Sequence, residues 1–178
     1  SWGEASLLFV KVQGALSNLN DNAQGYIGGV VGQFPGSGRS EVIQVVSDVV
    51  LDSVSDGGVH EGVTGGYIGG IVGGFNGHPY RGGLMRDSKF TGSIFVRGGS
   101  GTVGGLIGLG GVVRIERSGS DPETLSASRT IRIETSPTKV TVIGGLVGQL
   151  GTSELFDSFS RISIDGNSIA DYTGGLVG

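Results

Sequence analysis

The pentapeptide Gly-Gly-(Val/Ile/Leu)-(Val/Ile)-Gly occurs five times in this chain. It reads GGVVG at Gly28–Gly32, GGIVG at Gly69–Gly73, GGLIG at Gly104–Gly108, GGLVG at Gly144–Gly148 and GGLVG at Gly174–Gly178. Successive copies begin 41, 35, 40 and 30 residues apart. A near-regular period of this size marks a repeat architecture, in which one small unit stacks on copies of itself. A chain of repeated units is more often a scaffold than an enzyme.

Composition narrows this further. Glycine supplies 38 of 178 residues, about three times the usual share of ~7%. There is no Gly-X-Y period, so collagen is excluded. Only four prolines occur, against a Pro/Gly linker. With 37% hydrophobic residues the chain has material to bury, and the glycines punctuate a folded chain. We read residues 1–178 as one domain. The net charge of −4 gives no electrostatic case for nucleic acid or for an anionic membrane surface. The absence of cysteine excludes a disulfide framework and a thiolate metal site. No run of about 18 apolar residues offers a membrane span.

Between anchors lie pairs of apolar-alternating runs. These are Glu41–Ser47 and Asp48–Val54, Gly83–Phe90 and Gly92–Arg97, Val112–Arg117 and Arg129–Thr135, and Ser153–Ser160 and Arg161–Asp165. Thr130-Ile131-Arg132-Ile133-Glu134 alternates strictly at period 2, as a half-buried strand does. β-Branched residues dominate the runs, and no segment has a capped 3.6 period, so almost no helix is expected. Three strands per unit, one of them the anchor, predict an all-β parallel β-solenoid (β-helix) of about five coils. The crossover rule makes it right-handed. Coils stacked ~4.8 Å apart give a body of roughly 24 Å. Propeller blades hold four strands in ~40–45 residues, and these units are shorter and irregular.

The structural anchors are Gly28, Gly29 and Val30; Gly69, Gly70 and Ile71; Gly104, Gly105 and Leu106; Gly144, Gly145 and Leu146; and Gly174, Gly175 and Leu176. The third residue of each is expected to point inward and stack on its equivalents. The glycines permit close backbone approach. Insertions Gly57–Gly65 and Ser118–Ser128 are expected to project as loops.

An anchor followed by a turn and an Asp-Ser pair resembles the GLUG motif family. The pattern shows best at Gly144–Phe159 (GGLVGQLGTSELFDSF) and Gly104–Ser118, and at Gly69–Phe90 the pair is Asp87-Ser88. The likeness covers essentially the whole chain. The first unit departs from it, with Ser47-Asp48 and Asp52-Ser53 in a longer insertion, and the third has Arg117-Ser118. The resemblance implies a segment of a large bacterial surface or secreted protein, such as an adhesin or the non-catalytic part of an immunoglobulin-A peptidase. Such repeats act as stalks or binding scaffolds, and the motif carries no catalytic residues.

Joining Gly178 to Ser1 gives GGLVG-SWGEASLLFVKVQGAL, which parallels GGLVGQLGTSELFDSFSRISI of Gly144–Ile164. Trp2 then falls on Leu150 and Gly3 on Gly151. Either the chain is cut from a tandem array, or copies stack head to tail. Both readings place it in an elongated fibre.

Chemistry is sparse. His60 and His78 lie in different insertions without a partner set for a metal. Asp48, Asp52 and Asp56 could form a carboxylate cluster of the glycosidase kind, but they straddle a strand and turn where solvated charge is the default. Asn18, Asn20, Asp21 and Asn22, and also Asp121 and Glu123, read as Asx turns and match no calcium loop. Gly65–Gly70 lacks the Lys-Ser/Thr of a phosphate loop. Phe34, Phe75 and Tyr80 are the aromatics expected to be exposed, and Thr64, Thr102, Thr141 and Thr173, each shortly before an anchor, suggest an ice-binding row but not in strict register. No catalytic, cofactor-binding or metal residue is assigned. The expected role is a structural or adhesive protein, extracellular or at the cell surface, not an enzyme. Its partners are other copies or adjacent repeats, and surface glycans. The alternative is a glycan- or ice-binding module on the same scaffold.

Overall fold

The computed structural model describes residues 4–17, 25–34, 38–54, 64–76, 82–97, 100–121, 130–134, 141–166 and 172–178. Among these residues there are strands and corners and no helix. The strands form four sheets, and every pairing is parallel. Propeller blades are antiparallel, so the pairing excludes them.

The first sheet is Ala5–Leu8, Ser40–Ile43, Gly83–Arg86, Val113–Glu116 and Glu154–Phe156, in that order. The second contains Lys11–Ser17 and Val46–Val54. Later visits to it are split in two: Lys89–Phe90 with Ser93–Arg97, Gly119–Ser120 with Thr130–Glu134, and Phe159–Ser160 with Ser163–Gly166. The third is Tyr26–Gly28, Thr64–Gly69, Ser100–Gly104, Thr141–Gly144 and Tyr172–Gly174. The fourth is Val31–Phe34, Val72–Phe75, Ile107–Gly110 and Val147–Leu150, with Val177 bridged to Val147. The chain passes through the four sheets in one fixed order and then returns to the first, one strand further along. This topology is consistent with a β-helix.

Two expectations need correction. The anchor is not a strand of its own. Its first glycine ends a strand of the third sheet, its next two residues make the corner, and its fourth begins a strand of the fourth sheet. A pass therefore holds four strand positions. Ser118–Ser120 is not part of a projecting loop either. Ser118 and Ser120 are buried at 0% exposure, and Gly119–Ser120 pairs with Lys89–Phe90. Of the other expected loop, only Thr64 and Gly65 are described, and they lie within a strand.

The core follows from period-2 alternation. In Val113–Glu116 the burial runs buried, exposed, buried, half-buried. Inward positions of successive passes are in register, so like side chains stack. Leu7, Val42, Met85, Ile115 and Leu155 form one row on the first sheet. Leu16, Leu51, Ile94, Ile131 and Ile164 form a second. Val31, Val72, Ile107 and Val147 form a third. Met85, Ile94, Ile107, Ile115 and Ile131 are fully buried, each gaining about 1.5–3 kcal/mol from removal from water.

Candidate functional site

The anchor corner is where passes approach most closely. A β-carbon on Gly104 would stand 2.0 Å from the Ile107 carbonyl oxygen, within its own corner. One on Gly105 would stand 2.2 Å from the Gly145 carbonyl oxygen of the following pass. Gly29, Gly70 and Gly145 meet the same obstacle at 2.3, 2.2 and 2.2 Å, whereas at Gly175 no atom lies within 4 Å. The third residues form a backbone ladder. The N–H groups of Val30, Ile71, Leu106 and Leu146 donate to the carbonyls of Ile71, Leu106, Leu146 and Leu176 at 3.1, 3.0, 2.8 and 2.9 Å. As expected, Ile71, Leu106 and Leu146 point inward at 0% exposure. Val30 is half-buried, and Leu176 is 40% exposed.

A second row of corners escaped sequence reasoning. Phe9, Gln44, Asp87, Arg117 and Asp157 join the first sheet to the second, and each has a left-handed backbone, with φ of 56, 53, 51, 43 and 45°. Non-glycine residues seldom adopt it. Here the turned N–H groups of Phe9, Gln44, Asp87 and Arg117 each donate to a carbonyl of the next pass at 3.0–3.1 Å. From Asp87-Ser88 onward the residue pairs singled out in the sequence mark this corner: Asp87-Ser88, Arg117-Ser118 and Asp157-Ser158. In the preceding pass the corner is Gln44-Val45, not Ser47-Asp48 or Asp52-Ser53, which lie within Val46–Val54.

The serines after these corners form a ladder. The N–H groups of Val45, Ser88 and Ser118 donate to the hydroxyls of Ser88, Ser118 and Ser158 at 3.2, 3.1 and 3.2 Å. Each hydroxyl in turn donates to a carbonyl two residues back. On the outside, Arg117 donates two hydrogen bonds to Asp87, at 2.7 and 3.0 Å. Those bonds hold the Asp87 carboxyl below the usual carboxylate range and raise Arg117. Asp121 bridges Lys89 and Arg161 at 3.6 Å each.

Compared with protein-family models, characterised proteins and solved structures, the chain matches none. The likeness to GLUG repeats thus rests on the motifs alone.

A groove of about 750 Å³ opens on the outer face of the first sheet. Its charged lining is Glu4, Arg39, Arg86, Arg114, Glu116 and Glu154, beside Leu84, Val112 and Val113. Arg39 pairs with Glu41 at 2.7 Å. Arg114 bonds Glu116 and reaches Glu154 at 3.4 Å, and it covers the Phe156 ring at 4.5 Å.

Several sequence candidates are not brought together. Phe34 and Phe75 are buried at 6% and 0%, packed on each other at 5.1 Å; they are core residues, not exposed aromatics. Their alternate positions in the Val31–Phe34 and Val72–Phe75 strands turn them inward. Tyr80, His60, His78, Asp56, Asn18, Asn20, Asp21, Asn22 and Glu123 lie outside the described residues. Asp48 accepts from Gln13 of the neighbouring pass at 3.3 Å. The four threonines fall in different rows: Thr102 pairs with Tyr67 and Val142, Thr141 with Gly101, Thr173 with Ile143 and Thr64 with Ser100. No flat threonine array results from these pairings. Among the described residues no cluster of metal-ligating side chains occurs, and no helix is long and apolar enough to cross a membrane.

Proposed function

We propose that the chain is a five-coil, right-handed parallel β-solenoid of the GLUG-repeat kind, serving as a structural and adhesive segment of a bacterial surface fibre. The solenoid continues by head-to-tail stacking, either onto adjacent repeats or onto further copies. The observation that carries this reading is the location of exposed apolar side chains. Of the eight large exposed ones among the described residues, Leu8, Phe9 and Leu16 belong to the first pass, and Phe156, Phe159, Tyr172 and Leu176 to the last. The eighth is Val50, at 39%. Apolar surface gathered at both open ends of a parallel stack favours burial by a further coil.

The ladder registers supply the matching. Carried one step further, they set Leu7 on Leu155, Leu16 on Ile164, Tyr26 on Tyr172 and Val30 on Leu176. A contact of this heterologous kind does not close and generates a filament.

Electron microscopy of the purified protein at high concentration tests this. The expected result is fibres with an axial repeat near ~24 Å, lost in Gly175→Val, whose side chain would meet the incoming carbonyl as one on Gly145 meets Gly175. Dispersed monomers of the unsubstituted protein would sink the self-stacking reading.

A further inference from the structure

We propose that the groove on the first sheet is a binding site for a carboxylate-bearing oligosaccharide, with Arg86 receiving the carboxylate. The site lies along the side of the stack and is independent of end-to-end contact.

The cations that line the groove are engaged unequally. Arg39 is held by Glu41, and Arg114 by Glu116 and Glu154. Arg86 is different. Its Nε is buried without a hydrogen-bond partner. Its nearest carboxylate oxygen is Asp87 Oδ2, at 3.7 Å, and both Asp87 oxygens already accept from Arg117. The buried Nε is out of a ligand's reach, but the side chain is 39% exposed on the groove wall, and the Nη1/Nη2 end of a guanidinium suits a planar carboxylate, which can take two parallel N–H bonds.

Shape comes from missing side chains. Gly82 stands one residue before the Ser40–Gly83–Val113 row, where neighbouring passes carry Arg39 and Val112, whereas Gly83 faces the core, where a β-carbon would meet the Phe75 ring at 2.6 Å. A β-carbon at Gly82 would find its nearest atom 3.8 Å away, so the wall is open there. Leu84 and Val112, both half-buried, give this dent an apolar floor.

The rest of the lining selects sugar over peptide. The groove lies on a sheet face, where the strand backbones already pair with one another. An acidic peptide therefore finds no free edge for strand addition and would depend on side chains alone. A polyhydroxyl chain is served by mixed acceptors and donors: the Arg114, Glu116 and Glu154 groups keep N–H groups and lone pairs beyond the bonds they make with one another, and Thr152 adds an exposed hydroxyl.

Titration of the ¹⁵N-labelled protein with trigalacturonate, its methyl ester and hexaglutamate tests this. Trigalacturonate should shift the amides of Gly82, Leu84, Arg86 and Val112 saturably, and should bind more weakly as salt rises. Methyl esterification, or Arg86→Gln, should weaken it about tenfold or more. Thr152→Trp, at an exposed position that leaves the core untouched, should block the groove and abolish the shifts. Absence of saturable binding by trigalacturonate, binding unchanged in folded Arg86→Gln and in Thr152→Trp, or tighter binding of hexaglutamate would each overturn the proposal.

Discussion

Glycine at the second anchor position is demanded by the pass that follows, so one substitution made at two copies should give opposite results. At Gly105 an alanine β-carbon would sit 2.2 Å from the Gly145 carbonyl oxygen, where ordinary contact begins at 3.4 Å. The passes must separate by more than about 1 Å. The rungs nearest this point are Leu106 N–H and Ile107 N–H to the Leu146 carbonyl, at 2.8 and 3.3 Å. That displacement takes both beyond hydrogen-bond range, at about 1 kcal/mol each. Strain in the packing of Leu106 and Leu146 adds roughly 1–3 kcal/mol. Gly105→Ala should therefore lose about 3–5 kcal/mol, a fall in Tm on the order of 10 °C for a chain of this length. At Gly175 the same β-carbon has no atom within 4 Å. Gly175→Ala should be neutral, or stabilise by about 0.4–1 kcal/mol through the unfolded chain. Calorimetric melts of both variants in dilute solution decide the matter. Equal falls at the two sites, or a Gly105→Ala melt that matches the unsubstituted protein, would refute the close-approach argument.

Further outcomes follow from the ladders. Ser118→Ala removes the hydroxyl that accepts from Ser88 N–H and should cost about 1–3 kcal/mol for the buried donor left unmade, read from chemical denaturation. Asp87 is held below its ordinary carboxylate pKa by Arg117. Its contribution is therefore present above the unfolded value near ~3.9 and is lost as pH falls through the native one. Asp87→Asn should flatten the acid limb of a Tm-against-pH curve by slightly lowering its neutral plateau, while the low-pH end, where Asp87 is protonated, stays where it is. Ile115→Ala, in a fully buried row, should cost about 2–5 kcal/mol, and Leu155→Ala, half-buried in the same row, clearly less in the same denaturation assay.

The five anchors made the parallel, all-β architecture legible because their glycines are set by backbone geometry that repeats in every pass. Alternating runs such as Val112–Arg117 were legible for the same reason: period 2 is local. The corners between the first and second sheets were not. Phe9, Gln44, Asp87, Arg117 and Asp157 share a left-handed φ but no side-chain chemistry, because their common task is done by backbone N–H groups. Phe34 and Phe75 were misplaced because their glycine-rich surroundings suggested turns, whereas Gly73 and Gly74 lie within a strand whose glycines admit close neighbours, among them the Tyr26 ring beside Gly74. The groove was illegible because its lining is drawn from all five passes, and only the register brings Glu4 and Glu154 to one face.

These features tie cohesion to the direction of the stack. At the anchor ladder, N–H groups of one pass reach carbonyls of the next, and the second glycine leaves the room that the next pass occupies. The serine ladder runs the same way, with Ser118 N–H reaching Ser158 Oγ. The last described pass presents the same donors at Leu176 and Ser158, without an acceptor for either N–H among the described residues. Its corner also carries Asp157, where the Asp87 corner is clasped by Arg117. A following coil with a cation and a serine at that corner would satisfy both rows, repeating the Arg117-Ser118 arrangement. The first pass offers Phe9-Val10 instead. It matches the apolar rows and leaves the polar ones unmet, so stacking between copies should be weaker than stacking onto a coil of the Arg-Ser type. Grafting Phe9→Arg together with Val10→Ser should accordingly lower the concentration at which fibres form, and a raised threshold in the folded double variant would count against the polar rows as a source of cohesion.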